Sequence, residues 1–278
     1  MLIAILGRRN WLAYFLWRWI FRANGSSCTE LDRYFFGPSH GLNDYDSLAL
    51  NYKRSNVKPD KAYSILPTVL EMVGDCKGKT CTDIGCGGGF FSLALAQQGA
   101  SQVYGLDNSR EQLTLALQFA IHPAITYVLR DVFLEKLMPT DVIVAAFVTN
   151  YASSKPILQH FFRQLYDGLN EGGKVILVID LPNSRELKRF GAIKRIQGAV
   201  RDEAPIEITL FNESTPICNL NAFYYTPVTI ESVLREVGFR GISWHKPIVS
   251  EEGITAIDEK FWEGYTDDPE LGYILAEK

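Results

Sequence analysis

The sequence predicts an α/β fold built on a seven-strand, mostly parallel sheet with helices on both faces. Short apolar segments bounded by Gly or Asp alternate with helical periodicities from residue 43 onward, which is typical of strands that are buried on both faces. A glycine-rich turn follows the first of these segments. The chain of 278 residues is long enough for one large domain with an appended lid.

The first part of the predicted domain alternates between strand and helix. Its predicted strands are Thr80–Ile84, Gln102–Leu106, Ile125–Leu129, Asp141–Ala146 and Lys174–Asp180. The predicted helices that precede or connect them are Lys58–Val73, Phe90–Gln98, Arg110–Ala120 and Pro156–Leu169. This alternation is typical of βαβ units and therefore of a parallel sheet.

After Asp180 the alternation ends, which predicts a small lid over about 183–228, inserted before the sixth strand. Ile206–Phe211 and Asn219–Thr226 are expected to form an antiparallel pair within it. The remaining predicted elements are a helix at Thr229–Val237, strands at Ile242–His245 and Gly272–Ala276, and a helical stretch at Ile254–Tyr265. The last strand is expected to be antiparallel to its neighbours.

Residues 1–42 are predicted to be an extension, so that the domain covers 43–278. Residues 1–21 are apolar and aromatic, but Arg8, Arg9 and Arg18 interrupt them. A spanning helix needs about 20 mostly uncharged residues, and a signal peptide needs an uninterrupted apolar region. Three interpretations stay open: a dispensable segment with the working protein starting near Leu42, weak interfacial membrane contact through residues 1–22, or a helix packed on the domain or at an oligomer interface.

Composition argues against several functions. The net charge of -4 and the pI near 5.7 argue against a phosphate-backbone partner, so no nucleic acid is expected. The basic residues Lys188, Arg189, Lys194, Arg195 and Arg201 are interpreted as a solvated helix face or a contact for an anionic substrate. Five cysteines without metal-ligand spacing predict free thiols in a reducing cytoplasm and no metal site.

The most specific motif is the glycine-rich segment Thr82–Phe90, TDIGCGGGF, between the first strand and the helix that follows it. Glycines let the backbone turn sharply and let a ligand approach where a Cβ atom would collide. In Rossmann-like sheets this turn lies at the nucleotide site. The dinucleotide fingerprint would require a third glycine where Phe90 stands.

Two further acidic residues narrow the choice of cofactor. Asp107 ends the second strand, where a carboxylate can accept hydrogen bonds from both ribose hydroxyls. Asp131 follows the third strand, where it can accept one from an adenine amino group while Val132 packs on the ring. A dinucleotide-binding fold explains Asp107 but makes no demand for Asp131.

This combination resembles the class I S-adenosylmethionine-dependent methyltransferases over about Asn43 to Lys278. The resemblance implies transfer of a methyl group from S-adenosylmethionine to an O, N or C atom of a small metabolite. Short aromatic motifs look like the subgroup around toxoflavin-biosynthesis methyltransferases: Tyr45-Asp46 with Tyr52, Phe147–Tyr151, and Phe261-Trp262. The implied cofactor contacts are Tyr45, Tyr52, Asp83, Gly85, Cys86, Gly87, Gly89, Asp107, Asn108, Asp131, Val132 and Phe147.

The acceptor side shows no catalytic triad, which suits a reaction whose methyl group is already electrophilic and needs mainly orientation. Asn150 and Tyr151, after the fourth strand, are expected to line the transfer site, and His245 is a candidate base. Phe223, Tyr224 and Tyr225 are expected to wall the acceptor pocket, and Tyr45 and Tyr52 to cover the cofactor. An NAD-dependent oxidoreductase and a non-catalytic cofactor-binding protein remain as alternatives.

Overall fold

The computed structural model describes residues 43–46, 58–182, 188–212 and 215–278. The predicted N-terminal extension and Tyr52 lie outside these residues. Within the described ranges, no helix has the length and apolar character that a membrane crossing requires.

The ten strands of the described residues form two sheets. They are β1 (Thr80–Ile84), β2 (Gln102–Asp107), β3 (Ile125–Leu129), β4 (Thr140–Ala146), β5 (Leu169–Asp180), β6 (Ala192–Ile196), β7 (Ala204–Asn212), β8 (Thr215–Tyr224), β9 (Arg240–His245) and β10 (Leu271–Glu277). The central sheet has seven strands in the order β3-β2-β1-β4-β5-β10-β9, and β10 runs antiparallel to β5 and β9. The predicted seven-strand, mostly parallel sheet is therefore confirmed.

Seven α-helices connect the described strands. They are α1 (Leu66–Val73), α2 (Phe90–Gln97), α3 (Arg110–Phe119), α4 (Lys155–Gly168), α5 (Pro227–Val237), α6 (Glu251–Ala256) and α7 (Glu259–Trp262). A π-helical turn, Lys61–Ile65, leads into α1, and 3-10 turns lie at Thr149–Tyr151 and Lys188–Phe190. The single helix predicted at Ile254–Tyr265 is two helices, because Ile257 is extended and the Asp258 carboxylate accepts from Lys260 N at 2.9 Å to start α7.

Helices cover both faces of the central sheet. One face buries Phe161 and Phe162 of α4 against α5, and the other buries Val69 of α1 with Leu95 of α2. Full burial of side chains of this size contributes roughly 1.5–3 kcal/mol each. The two cores fix the carboxyl ends of β1, β2 and β4 along one edge of the sheet, where the predicted site residues lie.

The lid sheet, defined as β6, β7 and β8, is antiparallel in the order β6-β7-β8. Its β7–β8 pair confirms the predicted antiparallel pair. Strand β6 was not predicted, and the interpretation of Lys194 and Arg195 as a solvated helix face is wrong. On β6, Lys194 points into a cavity beneath the lid sheet while Arg195 is exposed, because successive strand residues alternate in direction.

Candidate functional site

The glycine-rich loop joins β1 to α2 through three residues with positive φ. Gly85, Gly87 and Gly89 have φ values of 64°, 52° and 82°. Cys86 N donates to Leu106 O at 2.9 Å, and Gly89 N donates to Cys86 O at the same distance. These bonds anchor the loop to β2 and leave Gly85 exposed between buried neighbours. The loop therefore presents bare backbone at the edge of the sheet.

The third of these glycines is required by its surroundings, which gives a stability prediction. A Cβ atom on Gly89 would lie 2.7 Å from the Ala120 Cβ atom and would also collide with the Tyr127 hydroxyl. We expect Gly89→Ala to lower the free energy of unfolding by roughly 2 kcal/mol or more, because left-handed backbone is also unfavourable for alanine. Urea denaturation measures this. Gly88→Ala is the matched control, since nothing lies within 4 Å of its Cβ position; equal losses in both variants would contradict the explanation.

Asp107 is the buried carboxylate that faces this loop. Its Oδ2 accepts from Gly87 N at 2.8 Å and its Oδ1 accepts from Ser109 N at 2.9 Å. Each carboxylate oxygen keeps a further lone pair with which to accept a ligand hydroxyl. Burial raises the pKa of Asp107 to about 6, although the bonds from Ser109 and Gly87 oppose that shift. Next to it, Ser109 Oγ donates to Asp46 Oδ1 at 2.6 Å.

Asp83 ends β1 almost fully buried, and Ser92 Oγ of α2 donates to its Oδ2 at 2.6 Å. Burial raises the pKa of Asp83 to about 7, against the effect of the Ser92 hydrogen bond. Close packing holds this arrangement: a Cβ atom on Gly105 would lie 2.9 Å from Ser92 Oγ and 2.6 Å from the ring of Tyr127. Asp83 thus ties the strand before the loop to the helix after it.

The other predicted cofactor residues lie around the same edge. Asp131 is half-buried, and its Oδ1 accepts from Phe133 N at 2.9 Å. Val132 packs in the core with Leu106, whereas Asn108 is exposed at the end of β2. Cys86 is buried within the loop, and burial raises the pKa of its thiol well above the ordinary value.

The end of β4 carries a strained residue and a polar clamp. Phe147 has φ 63°, a conformation that costs a non-glycine residue on the order of 1–3 kcal/mol, and its N–H donates to Val178 O at 2.8 Å. Asn150 Oδ1 accepts from Asp180 N at 2.8 Å, while Nδ2 donates to Asp180 O at 3.2 Å and to Phe223 O at 2.9 Å. Asn150 therefore joins β5 to β8 with its whole side-chain amide.

Two tyrosines meet beside this clamp. The hydroxyls of Tyr45 and Tyr151 are hydrogen-bonded to each other, and their rings meet edge to face with centroids 6.0 Å apart. Tyr151 also lines the cavity beneath the lid sheet. The structure thus brings an N-terminal aromatic residue to the strand end where transfer was predicted.

His245 does not lie at this site. It is exposed on β9, the edge strand of the central sheet, and its Nε2 is 2.9 Å from Ser243 Oγ. This corrects the expectation that strand alternation turns it into the acceptor pocket. The prediction that Phe223, Tyr224 and Tyr225 wall the acceptor pocket is corrected as well. Tyr225 is buried in the core, where its hydroxyl donates to Ala152 O at 2.9 Å. Neither Phe223 nor Tyr224 lines the cavity.

The cavity has a volume of about 120 Å³ and lies between the lid sheet and the carboxyl ends of β4 and β5. Its apolar wall is formed by Ile208, Leu210 and Leu220, and Phe147 lies at the cofactor side. These lid residues were not predicted, because alternation in β7 and β8 marks an inner face without showing what it covers. Its charged lining residues are Lys58, Asp60, Lys61, Asp180, Lys194, Asp268 and Glu270.

Two of these charged groups fasten the lid sheet, one to the central sheet and the other to the segment that precedes α1. Lys194 Nζ lies 2.6 Å from Asp180 Oδ1, and both side chains are less than a tenth exposed. Lys58 Nζ donates to Gly191 O, at the start of the lid. Burial lowers the pKa values of Lys58 and Lys61 to about 8. Lys61 Nζ also lies 5.0 Å from the ring centroid of Phe90, so it stands between the cavity and the glycine-rich loop.

No group of three or more side chains suited to hold a metal ion occurs within the described parts of the chain.

Residues 82–173 match a family model described as a methyltransferase domain. Among curated proteins, the chain is 27% identical over 106 residues to a ubiquinone biosynthesis O-methyltransferase from Alkalilimnicola ehrlichii, which covers 37% of this chain and 42% of that protein. It is 37% identical over 86 residues to the protein of the same name from Aliivibrio fischeri, covering 31% and 28%. The chain spans less than half the length of these two relatives.

Solved structures give the wider comparison. A putative S-adenosylmethionine-dependent methyltransferase from Listeria monocytogenes aligns with a TM-score of 0.56 at 19% identity, over 76% of this chain and 95% of that one. The structure described as the DhpI-SAM-HEP complex aligns with a TM-score of 0.57 at 17% identity, over 86% and 99%. At these identities the likeness shows the fold.

Proposed function

We propose that this chain, which carries a methyltransferase domain in the fold of the class I S-adenosylmethionine-dependent methyltransferases, transfers a methyl group from S-adenosylmethionine to an O, N or C atom of a small molecule. The observation that carries the proposal is the buried Asp107 carboxylate, hydrogen-bonded to the glycine-rich loop through Gly87 N. A carboxylate in this position can accept hydrogen bonds from ribose hydroxyls beside backbone that a ligand can approach, which supports the proposal.

The site fits the cofactor on geometric grounds. A Cβ atom on Gly85 would lie 2.5 Å from Val148 Cγ2, so the loop needs a glycine there. Gly85 is also exposed, so a ligand can approach its backbone. Asp107 would hold the ribose, Asp131 the adenine amino group and the loop backbone the methionine moiety. When bound, the cofactor supplies an electrophilic sulfonium methyl group.

The protein's own task is to hold the acceptor in line and keep water out. Phe147 and Tyr151 follow β4 and line the cavity, so an occupant of the cavity contacts the strand end where transfer is proposed. Orientation of this kind can supply roughly 7–11 kcal/mol of barrier lowering. Asn150 is a positioning residue in this scheme, because its amide is engaged by Asp180 and Phe223.

The size of the cavity and the state of the cysteines support a small methyl acceptor and a reducing compartment. The cavity of about 120 Å³ is close to the roughly 150 Å³ of an engineered cavity that binds benzene, which favours an acceptor the size of one ring. The matched relatives are named for O-methylation in ubiquinone biosynthesis, which supports a small-molecule acceptor. The thiols of Cys76, Cys81 and Cys86 are free and buried, in keeping with the cytoplasm, and the acidic net charge disfavours nucleic acid.

Calorimetric titration with S-adenosylhomocysteine, with NAD as comparator, tests the proposal. We expect micromolar binding of S-adenosylhomocysteine and none of NAD. A preference for NAD would support an oxidoreductase instead. Binding without methyl transfer to any acceptor, across a panel of small phenols, amines and heterocycles, would favour a non-catalytic cofactor-binding protein.

Acidification should weaken this binding. Because burial raises the pKa of Asp107 to about 6, the group is mostly ionised at pH 8 and mostly protonated at pH 5. The protonated form offers fewer lone pairs to ribose hydroxyls, so we expect affinity for S-adenosylhomocysteine to fall below pH 6, approaching tenfold per pH unit. Titrations at pH 5, 6, 7 and 8 measure the profile. Asp107→Asn should flatten its acid limb; a wild-type profile that is flat between pH 5 and 6.5 would contradict the assignment.

A further inference from the structure

Asp60 is a buried carboxylate at the cavity with an unmet hydrogen bond. The residue is 8% exposed and lines the cavity beneath the lid sheet. Its Oδ1 is inaccessible to bulk water and has no hydrogen-bond partner among the described residues. A buried acceptor without a donor is costly, and because Asp60 lines the cavity, a ligand bound there can supply the missing donor.

The charges around Asp60 favour its ionised form, although Asp60 forms no ion pair among the described residues. Burial raises the pKa of Asp60, while the charge of Lys58, a hydrogen bond from the Lys61 backbone N–H and the charges of Lys194 and Lys61 act to lower it. None of these lysines forms an ion pair with Asp60 within 4 Å in the described chain, and Lys194 is paired with Asp180. The lysines therefore favour the negative charge of Asp60 without occupying Oδ1.

The cavity is small enough to connect this carboxylate with the transfer position. Its lining residues include Asp60, Phe147 and Tyr151, within a volume of about 120 Å³. A single-ring molecule fills most of such a space. An acceptor that contacts the end of β4 thus also comes within reach of Asp60.

We infer that Asp60 Oδ1 accepts a hydrogen bond from a hydroxyl or amino group of the methyl acceptor, so that the cavity selects small ring compounds that carry such a donor. This inference rests on the proposed function and names the class of molecule that the site takes. Asp60 is thereby a specificity-determining residue of the acceptor pocket.

An anionic acceptor is the competing assignment, because three lysines line the same cavity. The contacts argue against it. Lys194 is neutralised by Asp180, Lys58 Nζ donates to Gly191 O, and Lys61 Nζ lies over the ring of Phe90. Asp60, Asp268 and Glu270 would moreover repel a carboxylate that entered the cavity. A neutral donor satisfies Asp60 without that repulsion.

Three probes of nearly equal size distinguish these assignments: phenol, toluene and benzoate, titrated at pH 7 into protein saturated with S-adenosylhomocysteine. We expect phenol to bind at least about tenfold more tightly than toluene, and benzoate no more tightly than toluene. In Asp60→Leu, phenol affinity should fall by about 10- to 150-fold, the range for a hydrogen bond to a charged group, with toluene affinity unchanged. Asp268→Leu is the control, since Asp268 is an exposed carboxylate on the same cavity.

Three results would overturn the inference. Equal affinities of the wild type for phenol and toluene would overturn it. This comparison needs no variant, so it remains decisive if Asp60→Leu does not fold. Tighter binding of benzoate that Lys58→Met abolishes would assign an anion site. Loss of S-adenosylhomocysteine binding in Asp60→Leu, with the phenol preference intact, would assign Asp60 to the cofactor site. Failure of the wild type to bind S-adenosylhomocysteine would refute the proposed function instead, and the probes can then be titrated into the protein alone.

Discussion

Asp107→Ala should reduce the affinity for S-adenosylhomocysteine by about 10- to 150-fold, which corresponds to roughly 1.5–3 kcal/mol for a hydrogen bond to a charged group. The carboxylate accepts from Gly87 N and Ser109 N, so its loss removes both the proposed ribose contact and a support of the loop. Isothermal titration calorimetry measures the change. Asp75→Ala is the matched control, because Asp75 is an exposed aspartate that precedes β1, at the opposite end of that strand from the glycine-rich loop, and its loss should change the affinity little.

A second variant separates the two parts of this effect. Asp107→Asn keeps the shape of the side chain and one acceptor oxygen while removing the charge. We expect an intermediate loss of affinity and a lower unfolding temperature, because the amide NH2 group of the variant faces one of the two backbone N–H donors. Wild-type affinity in Asp107→Ala would show that the cofactor is held elsewhere, whereas equal losses in Asp107→Ala and Asp75→Ala would point to a general disturbance of the fold.

Lys194→Met should lower the free energy of unfolding by about 3–5 kcal/mol, the usual cost of removing one partner of a buried ion pair. The variant leaves Asp180 buried without its cation, since the two side chains are only 8% and 7% exposed and 2.6 Å apart. Urea denaturation measures the loss. Arg195→Met is the matched control on the same strand: Arg195 is exposed, so its change should stay within about 1 kcal/mol.

A double variant tests the cause. Asp180→Asn combined with Lys194→Met removes both charges, so it should recover part of the stability that Lys194→Met loses. If the double variant is as unstable as the sum of its single variants, the pair is not coupled. A loss below about 1 kcal/mol in Lys194→Met would mean that solvent reaches the pair and that the lid sheet is fastened by other contacts.

The cofactor half of the site was predictable because its signals are local. Gly85, Gly87 and Gly89 indicate backbone conformations that only glycine adopts easily, and the structure has positive φ at all three. Asp107 could be placed because the carboxyl ends of neighbouring parallel strands meet at one edge. The strand pattern that fixes this edge is set by short apolar segments, which are visible without any tertiary information.

The acceptor half was less predictable because its signals are tertiary. The basic residues around Lys194 were interpreted as a helix face from their charge alone. In the structure this segment is the strand β6, because it pairs with β7. His245 lies on a strand, as predicted. The alternation of side chains along a strand does not show, however, that β9 is at the edge of the sheet. Asp60 has no motif at all; only the fold shows that it is buried beside a cavity.

The three hydrogen bonds of Asn150 have a consequence for how the protein could be diversified. They join the strand end at Asp180 and the lid strand at Phe223 to one side chain, so Asn150, together with the Lys194–Asp180 pair, holds the lid sheet against the end of β5. The cavity-wall residues Ile208 and Leu220 take no part in these hydrogen bonds. Exchanging these wall residues should change which molecules enter the cavity. The hydrogen bonds of Asn150 would still hold the proposed transfer position in place.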